Sequence, residues 1–353
     1  MKRLVLLALA ACTRPGEGRA LDELTVGHAQ IEFATVDVAD GLATIRELSD
    51  GLLELWSSAP ALDLQLDLRD AGDWTIIARN SLRDSVLLVD GVRFARQASP
   101  GDSPTVATFR VPFTAGVHTL RLAPPDADQI EPFRIVALAD IQTALPIVDQ
   151  VFARINEVPD ARFVTAMGDI TERGTLEEYE LFDRQLTVLQ IPFYTTLGNH
   201  ELWGPAQRFF DRYGRASFHF EFKGTAFTFA DSGDAGIDPI VEDWLDGWLA
   251  EAADQPHIFL THVPPVDPVG RRYGAFRSSR DARRLLSRLA EGRVDLTLYG
   301  HIHTLVEFEN AGIPAFVSGG GGAEPMKGDG IDRHFLVIDN DGPIQQVEVV
   351  RVD

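Results

Sequence analysis

The 353-residue chain contains a single cysteine, Cys12. A body without further thiols has no disulfide framework to rely on and no reactive cysteine to use. Basic residues are also scarce: 32 Lys and Arg against 53 Asp and Glu leave a formal net charge of −21. Nucleic-acid binding requires a basic footprint, so this balance argues against nucleic acid as a structural partner. What the acidity does supply is solubility. Long apolar runs are missing too, and the run near the N-terminus, Leu4 to Ala11, is too short to span a bilayer. No internal repeat or low-complexity tract stands out. Hydrophobic residues make up 45% and charged residues 24%, an ordinary globular composition, and the length suffices for two domains and a sizeable core.

Lys2 and Arg3, followed by the short apolar run, have the layout of a secretory signal peptide. The run ends in Leu9-Ala10-Ala11-Cys12, which resembles the lipobox of bacterial lipoproteins. That resemblance implies that Cys12 is lipidated, becomes the first mature residue and anchors the protein to a membrane. Thr13 follows, and by resemblance to Gram-negative lipoproteins this points to export and an outer-membrane, periplasmic location. The alternative is cleavage after Ala8-Leu9-Ala10, which leaves a soluble secreted protein. Residues 13–21 are small and polar and read as a tether, so 1–21 form a leader with lipobox and tether.

From 22 to 127 the pattern has period two. Leu62, Leu64, Leu66 and Leu68 alternate with Asp63, Gln65, Asp67 and Arg69, which predicts a half-buried strand. Asp90-Gly91 between two apolar runs predicts a hairpin, because both residue types tolerate positive φ. No helix of ordinary length is evident between 56 and 125. The expectation is a small antiparallel β-sandwich, with 124–132 as a linker.

From 133 to 353 strand-like apolar runs alternate with helical patterns, which predicts an α/β domain. Thr175 with Glu178 forms a capping box before a helix. Asp238-Pro239 starts a second helix, and Gly292 closes a third that opens near Ser278. One event recurs along this half. Apolar runs end at Asp140, at Asp169, at Asn199-His200, at His262 and at His301, which His303 follows. Ligands of α/β sheets bind beyond the carboxyl ends of strands, so these side chains are expected on one rim. His301 and His303, two apart, share a face of an extended segment. Gly168, Gly198 and Gly300 are expected to let the backbone turn sharply.

Taken in order, "DIQ…GDITERG…GNHE…TH…GHIH" resembles the calcineurin-like metallophosphoesterase superfamily, which includes purple acid phosphatases and bacterial phosphodiesterases. The resemblance covers about 133 to 322 and not the sandwich. It implies a two-layer β core flanked by helices and a two-metal site. By that resemblance Asp169 bridges both ions, Asp140 and His303 bind the first, and Asn199, His262 and His301 bind the second. His200 is implied as the acid at the scissile phosphate. Oxygen donors mixed with imidazoles suit Mn²⁺, Fe or Zn²⁺. The implied activity is phosphate-ester hydrolysis, with diesters favoured over monoesters; a phosphomonoesterase and a non-catalytic surface binding lipoprotein with a degenerate site are the alternatives.

One position departs from the family pattern. Where the family has D-x-H, this chain has Gln142. An amide oxygen is a weaker donor than imidazole. Gln142 either coordinates the first ion, holds a water bound to it, or braces its neighbours by hydrogen bonds. Arg271 and Arg272 are candidates for substrate phosphate, or solvated loop arginines. Arg173 reads as structural or substrate-facing, Trp203 as a pocket wall or a packing residue, and the glycines of 318–322 as a site of tight backbone approach.

Overall fold

The computed structural model describes residues 15–97, 103–270, 273–326, 328–342 and 344–353. Cys12 and the rest of 1–14 lie outside the described residues, as do Arg271 and Arg272. The polar stretch expected to be a tether is, from Pro15 onward, a helix, Pro15–Glu23. It is docked onto the C-terminal half. Arg19 is half-buried and pairs with Asp231 at 2.8 Å and Asp234 at 2.7 Å. Glu23, fully buried, accepts a hydrogen bond from the Ser217 backbone at 2.7 Å. These partners lie some two hundred positions away in sequence, so local polarity could not reveal them.

The sandwich forms as expected, with one correction. Its six-stranded sheet runs His28–Ile31, Ala34–Val38, Leu62–Leu68, Gly116–Ala123, Val86–Val89, Val92–Phe94, every neighbour antiparallel. Leu62, Leu64, Leu66 and Leu68 are buried while Asp63, Gln65 and Asp67 are exposed. Asp90 and Gly91 take φ of 49° and 79°, the left-handed pair that a two-residue hairpin needs. The four-stranded sheet, Ala43–Ser49, Leu52–Ser57, Gly72–Arg79, Val106–Phe113, is not purely antiparallel, because Leu52–Ser57 and Gly72–Arg79 run parallel. The strand between them, Leu62–Leu68, belongs to the opposite sheet. Two reversals therefore bring the chain back in its original direction.

The 124–132 linker is tied down: Ala127 is buried, and Asp126 pairs with Lys223 at 2.7 Å. Beyond it, two sheets face each other. In the first, Phe133–Leu138, Ala161–Ala166 and Phe193–Thr195 are parallel, and His334–Asp341 and Ile344–Arg351 extend it antiparallel. In the second, Thr225–Ala230, His257–Thr261, Leu296–Tyr299 and Ile313–Ser318 are parallel, with antiparallel edges Phe218–Phe222 and Leu305–Asn310. Near-continuous apolar runs form the central strands because both faces are covered. Phe163 sits between the sheets, its ring 5.2–6.4 Å from those of Phe133, Tyr194, Phe220, Phe222 and Phe227. Helices begin where the sequence indicated: Thr175 and Glu178 form the capping box of Leu176–Leu186, Asp238 caps Pro239–Glu251 and Ser278 caps Ser279–Glu291. The sandwich packs directly on this half, with Asn80 bonding both backbone groups of Phe193 at 2.7 and 2.9 Å.

Candidate metal centre

The parallel strands of both sheets end at one rim, and there the chain turns abruptly. Asp140, Gln142, Asp169 and His301 have φ of 64°, 43°, 55° and 68°. Left-handed backbone costs a non-glycine residue roughly 1–2 kcal/mol, and at this rim the cost falls on residues that present polar side chains to it. The glycines act differently from the expectation. Gly168 does adopt a φ of 78°. Gly198 and Gly300 do not; they are needed for close approach, since a Cβ on Gly300 would lie 2.9 Å from Asp140 Oδ2. A Cβ on Gly319 would meet the same oxygen at 2.9 Å, so the 318–322 run is a site of tight backbone approach.

Asp140, Gln142, Asp169, Asn199, His262, His301 and His303 come together. Asp169 Oδ2 is the shared point. On one side Gln142 Nε2 donates to it at 2.5 Å and lies 3.3 Å from His303 Nε2, which is 3.5 Å from Asp140 Oδ1. On the other side His262 Nε2 is 3.2 Å from Asp169 Oδ2 and 3.1 Å from Asn199 Oδ1. Ligand atoms of Asp169, His262 and His301 lie within 4.8 Å of one another.

Outer contacts orient the imidazoles. His262 Nδ1 sits 2.6 Å from the Met167 carbonyl and His303 Nδ1 2.8 Å from that of Glu324, so each ring donates there and turns Nε2 toward the centre. His301 is reversed: Nε2 meets the Tyr273 carbonyl at 2.9 Å, which leaves Nδ1 for the centre. His301 Nδ1 and Asp140 Oδ2 are both buried without a hydrogen-bond partner. Such orphaned polar atoms are costly unless something satisfies them, and a cation does so for a lone pair and a carboxylate oxygen alike. The donor set therefore fits a metal.

Electrostatics point the same way. Burial raises the Asp169 carboxyl, but the His262 and His200 charges outweigh it and hold Asp169 below the usual carboxylate range. Burial lowers His262, yet Asp169 and Asp140 bring it up to about 9. His301 falls to about 4 through burial and the His262 charge. A buried acid cluster thus retains a proton on His262 to balance itself, a role that a metal ion held by these residues would take over.

His200 lies beside the cluster. Its backbone N–H donates to Asp169 Oδ1 at 2.9 Å, its Nδ1 is 2.8 Å from the Glu172 carbonyl, and its Nε2 is 4.0 Å from Asp169 Oδ2. Sequence reasoning gave Glu201 no role. It is fully buried and its carboxylate accepts four hydrogen bonds, from the backbones of Asp169, Thr171 and Gly198 and from the Thr171 hydroxyl, at 2.7–2.9 Å. Burial and the Asp169 charge push it up to about 7 against those donors. One side chain thereby locks the Asp169 and Asn199 turns together. The available signal was an acid directly after "GNH". Four histidines without a partner pattern pair away from the cluster: His28 meets Asp37, His118 meets Asp90, and His219 and His257 share Thr228. His334 packs against Gly320.

Fold and site together define a class: a two-sheet α/β domain with a cluster of metal-ligating residues on its C-terminal rim. The comparisons make this specific. Residues 133–305 match the calcineurin-like phosphoesterase family, so the C-terminal half carries a domain of that family. It is 27% identical over 162 residues to a probable glycerophosphodiester phosphodiesterase of Arcobacter nitrofigilis, covering 42% of this chain and 59% of that one. It is 26% identical over 164 residues to a 3',5'-cyclic-nucleotide phosphodiesterase of Nostoc, covering 43% and 60%. The chain thus spans about three-fifths of the length of these curated relatives. A purple acid phosphatase from yellow lupin shares the fold, with a TM-score of 0.56 at 14% identity over 83% of this chain and 70% of that one. That coverage exceeds what 133–353 supplies, so the shared fold reaches into the sandwich.

Proposed function

We propose that this chain is a metal-dependent phosphohydrolase that prefers phosphodiesters. The observation that carries it is the pair of donor clusters meeting at Asp169 Oδ2. In this reading Asp140, Gln142 and His303 would hold one ion, Asn199, His262 and His301 would hold another, and Asp169 would serve both. Mn²⁺, Fe and Zn²⁺ suit such donors. When bound, the two ions clamp the phosphoryl group and acidify the water that attacks it. The chain's own residues do the rest. Glu172 holds the His200 ring through Nδ1, so Nε2 faces the site and delivers its proton to the departing oxygen. Glu201 keeps the Asp169 and Asn199 turns in register. The diester preference draws on the curated relatives, both of them named as phosphodiesterases.

The test is hydrolysis of bis(p-nitrophenyl) phosphate and p-nitrophenyl phosphate by purified protein with Mn²⁺, beside Asp169→Asn. Diester hydrolysis that disappears in chelator and in the variant supports the proposal. A faster monoester reaction makes the protein a phosphomonoesterase. Metal binding without hydrolysis of either ester makes it a non-catalytic binding protein. For the N-terminus we propose export and lipid anchoring at Cys12, on the basic start, short apolar run and Leu-Ala-Ala-Cys ending.

A further inference from the structure

Trp203 is the tryptophan whose position packing does not explain. Trp56 and Trp74 are buried at 8% and 4% exposure, whereas Trp203 is 64% exposed. It sits on the short turn Glu201–Trp203, directly after His200. Leu202 supplies that turn's packing against the core, and the indole adds little. The ring is nevertheless well held. Glu201 anchors the turn from below through its four hydrogen bonds. Gly204, lacking a Cβ, lets the turn close onto the Gly174 carbonyl. The indole lies parallel to the His200 imidazole, with centroids 5.3 Å apart and planes 12° apart. The Arg173 guanidinium stands 5.9 Å from the indole centroid.

An exposed indole next to the proton donor is a preorganised flat surface, and an aromatic ring arriving there loses little by ordering it. We propose that Trp203 is a specificity-determining residue that stacks a planar aromatic ring carried by the alcohol group of the phosphate ester. The ring can be an aryl group or a nucleobase; the shared chemistry is a π face attached near the phosphate. This rests on the phosphohydrolase reading, because His200 marks the side on which the alcohol departs. Stacking of this kind is commonly worth around a tenfold change in affinity.

The experiment uses the full chain loaded with Mn²⁺ and compares benzyl phosphate with cyclohexylmethyl phosphate, which matches it in size but is not flat. Calorimetry measures both affinities for the wild type, Trp203→Ala and Trp203→Phe. Release of benzyl alcohol and of cyclohexylmethanol from the corresponding methyl diesters is followed alongside. The wild type is expected to prefer the benzyl ligand about tenfold, mostly through KM in the kinetic arm. Trp203→Ala should bring the ratio to about one, and Trp203→Phe should restore most of it. Three outcomes overturn the proposal: no wild-type preference, no binding of either ligand, or an equal loss on both with kcat reduced. The last would mean that Trp203 only positions His200. If neither diester is hydrolysed, the phosphohydrolase reading fails, and the affinity ratio still decides the stacking.

Discussion

Gln142 offers the sharpest test of how the centre is built. Its amide is buried, donates to Asp169 Oδ2 at 2.5 Å and lies 3.3 Å from His303 Nε2. To present Oε1 to an ion beside Asp140 and His303, the amide must turn over and give up that bond. A hydrogen bond to a charged carboxylate is worth about 1.5–3 kcal/mol. Taking ~2 kcal/mol, the turn weakens first-ion binding roughly 30-fold relative to a ligand that needs none. Imidazole needs no such turn. We therefore expect sub-stoichiometric occupancy at low metal and activity that rises on adding Mn²⁺. Gln142→His should tighten the weaker site on the order of 30-fold. Gln142→Ala should loosen it and lower activity mainly when metal is limiting. Mn²⁺ titrations of the three proteins, read by calorimetry and by activity against free metal, give both affinities. Equal weak-site affinity across Gln, His and Ala would refute the reasoning and leave Gln142 a brace for Asp169.

Three further outcomes are expected. His200→Ala should lower kcat on the order of 10²-fold with metal content unchanged, and an ester whose leaving group needs no proton should recover much of the loss; an emptied site would contradict the assigned role. Burial and the Asp231 charge raise the Glu23 carboxyl well above its ordinary 4.5. A raised folded-state value favours the fold below pH ~4.5 and is lost as pH climbs through it. Glu23→Gln keeps an acceptor for the Ser217 N–H, so its stability advantage should be absent at pH 4 and present at pH 8; urea melts at both pH values check this, and a pH-independent difference would refute it. Finally, on the proposed lipid anchoring Cys12→Ser should release the protein from the membrane fraction, because acyl chains would supply the attachment; unchanged fractionation would favour the soluble form or a protein partner.

Much of the centre was legible because its signals are local. Each ligand-bearing segment couples an apolar run to a polar residue at its end, and a parallel sheet sends all such ends to one rim. The helix starts were legible for the same reason: Thr175, Asp238 and Ser278 cap backbone groups two or three residues away. The outward-facing Asp63, Gln65 and Asp67 followed from the two-residue period of a strand.

What the sequence by itself determined, then, was the strand ends, their order and the residue types they carry. Only the tertiary structure decided which atoms meet. The helix at Pro15–Glu23 exists because Arg19 finds Asp231 and Glu23 finds Ser217 across the fold. The left-handed turns fall on Asp140, Asp169 and His301 rather than on the glycines before Asn199 and His301, because close approach takes up Gly198 and Gly300. Glu201 became a clamp when two turns from different strands arrived within reach of one carboxylate. Trp203 came to face His200 through that same clamp. Short-range rules act over a few residues and can be read along the chain. Hydrogen bonds, charge pairs and close backbone contacts act over a few ångströms, and folding alone decides which distant residues fall within that distance.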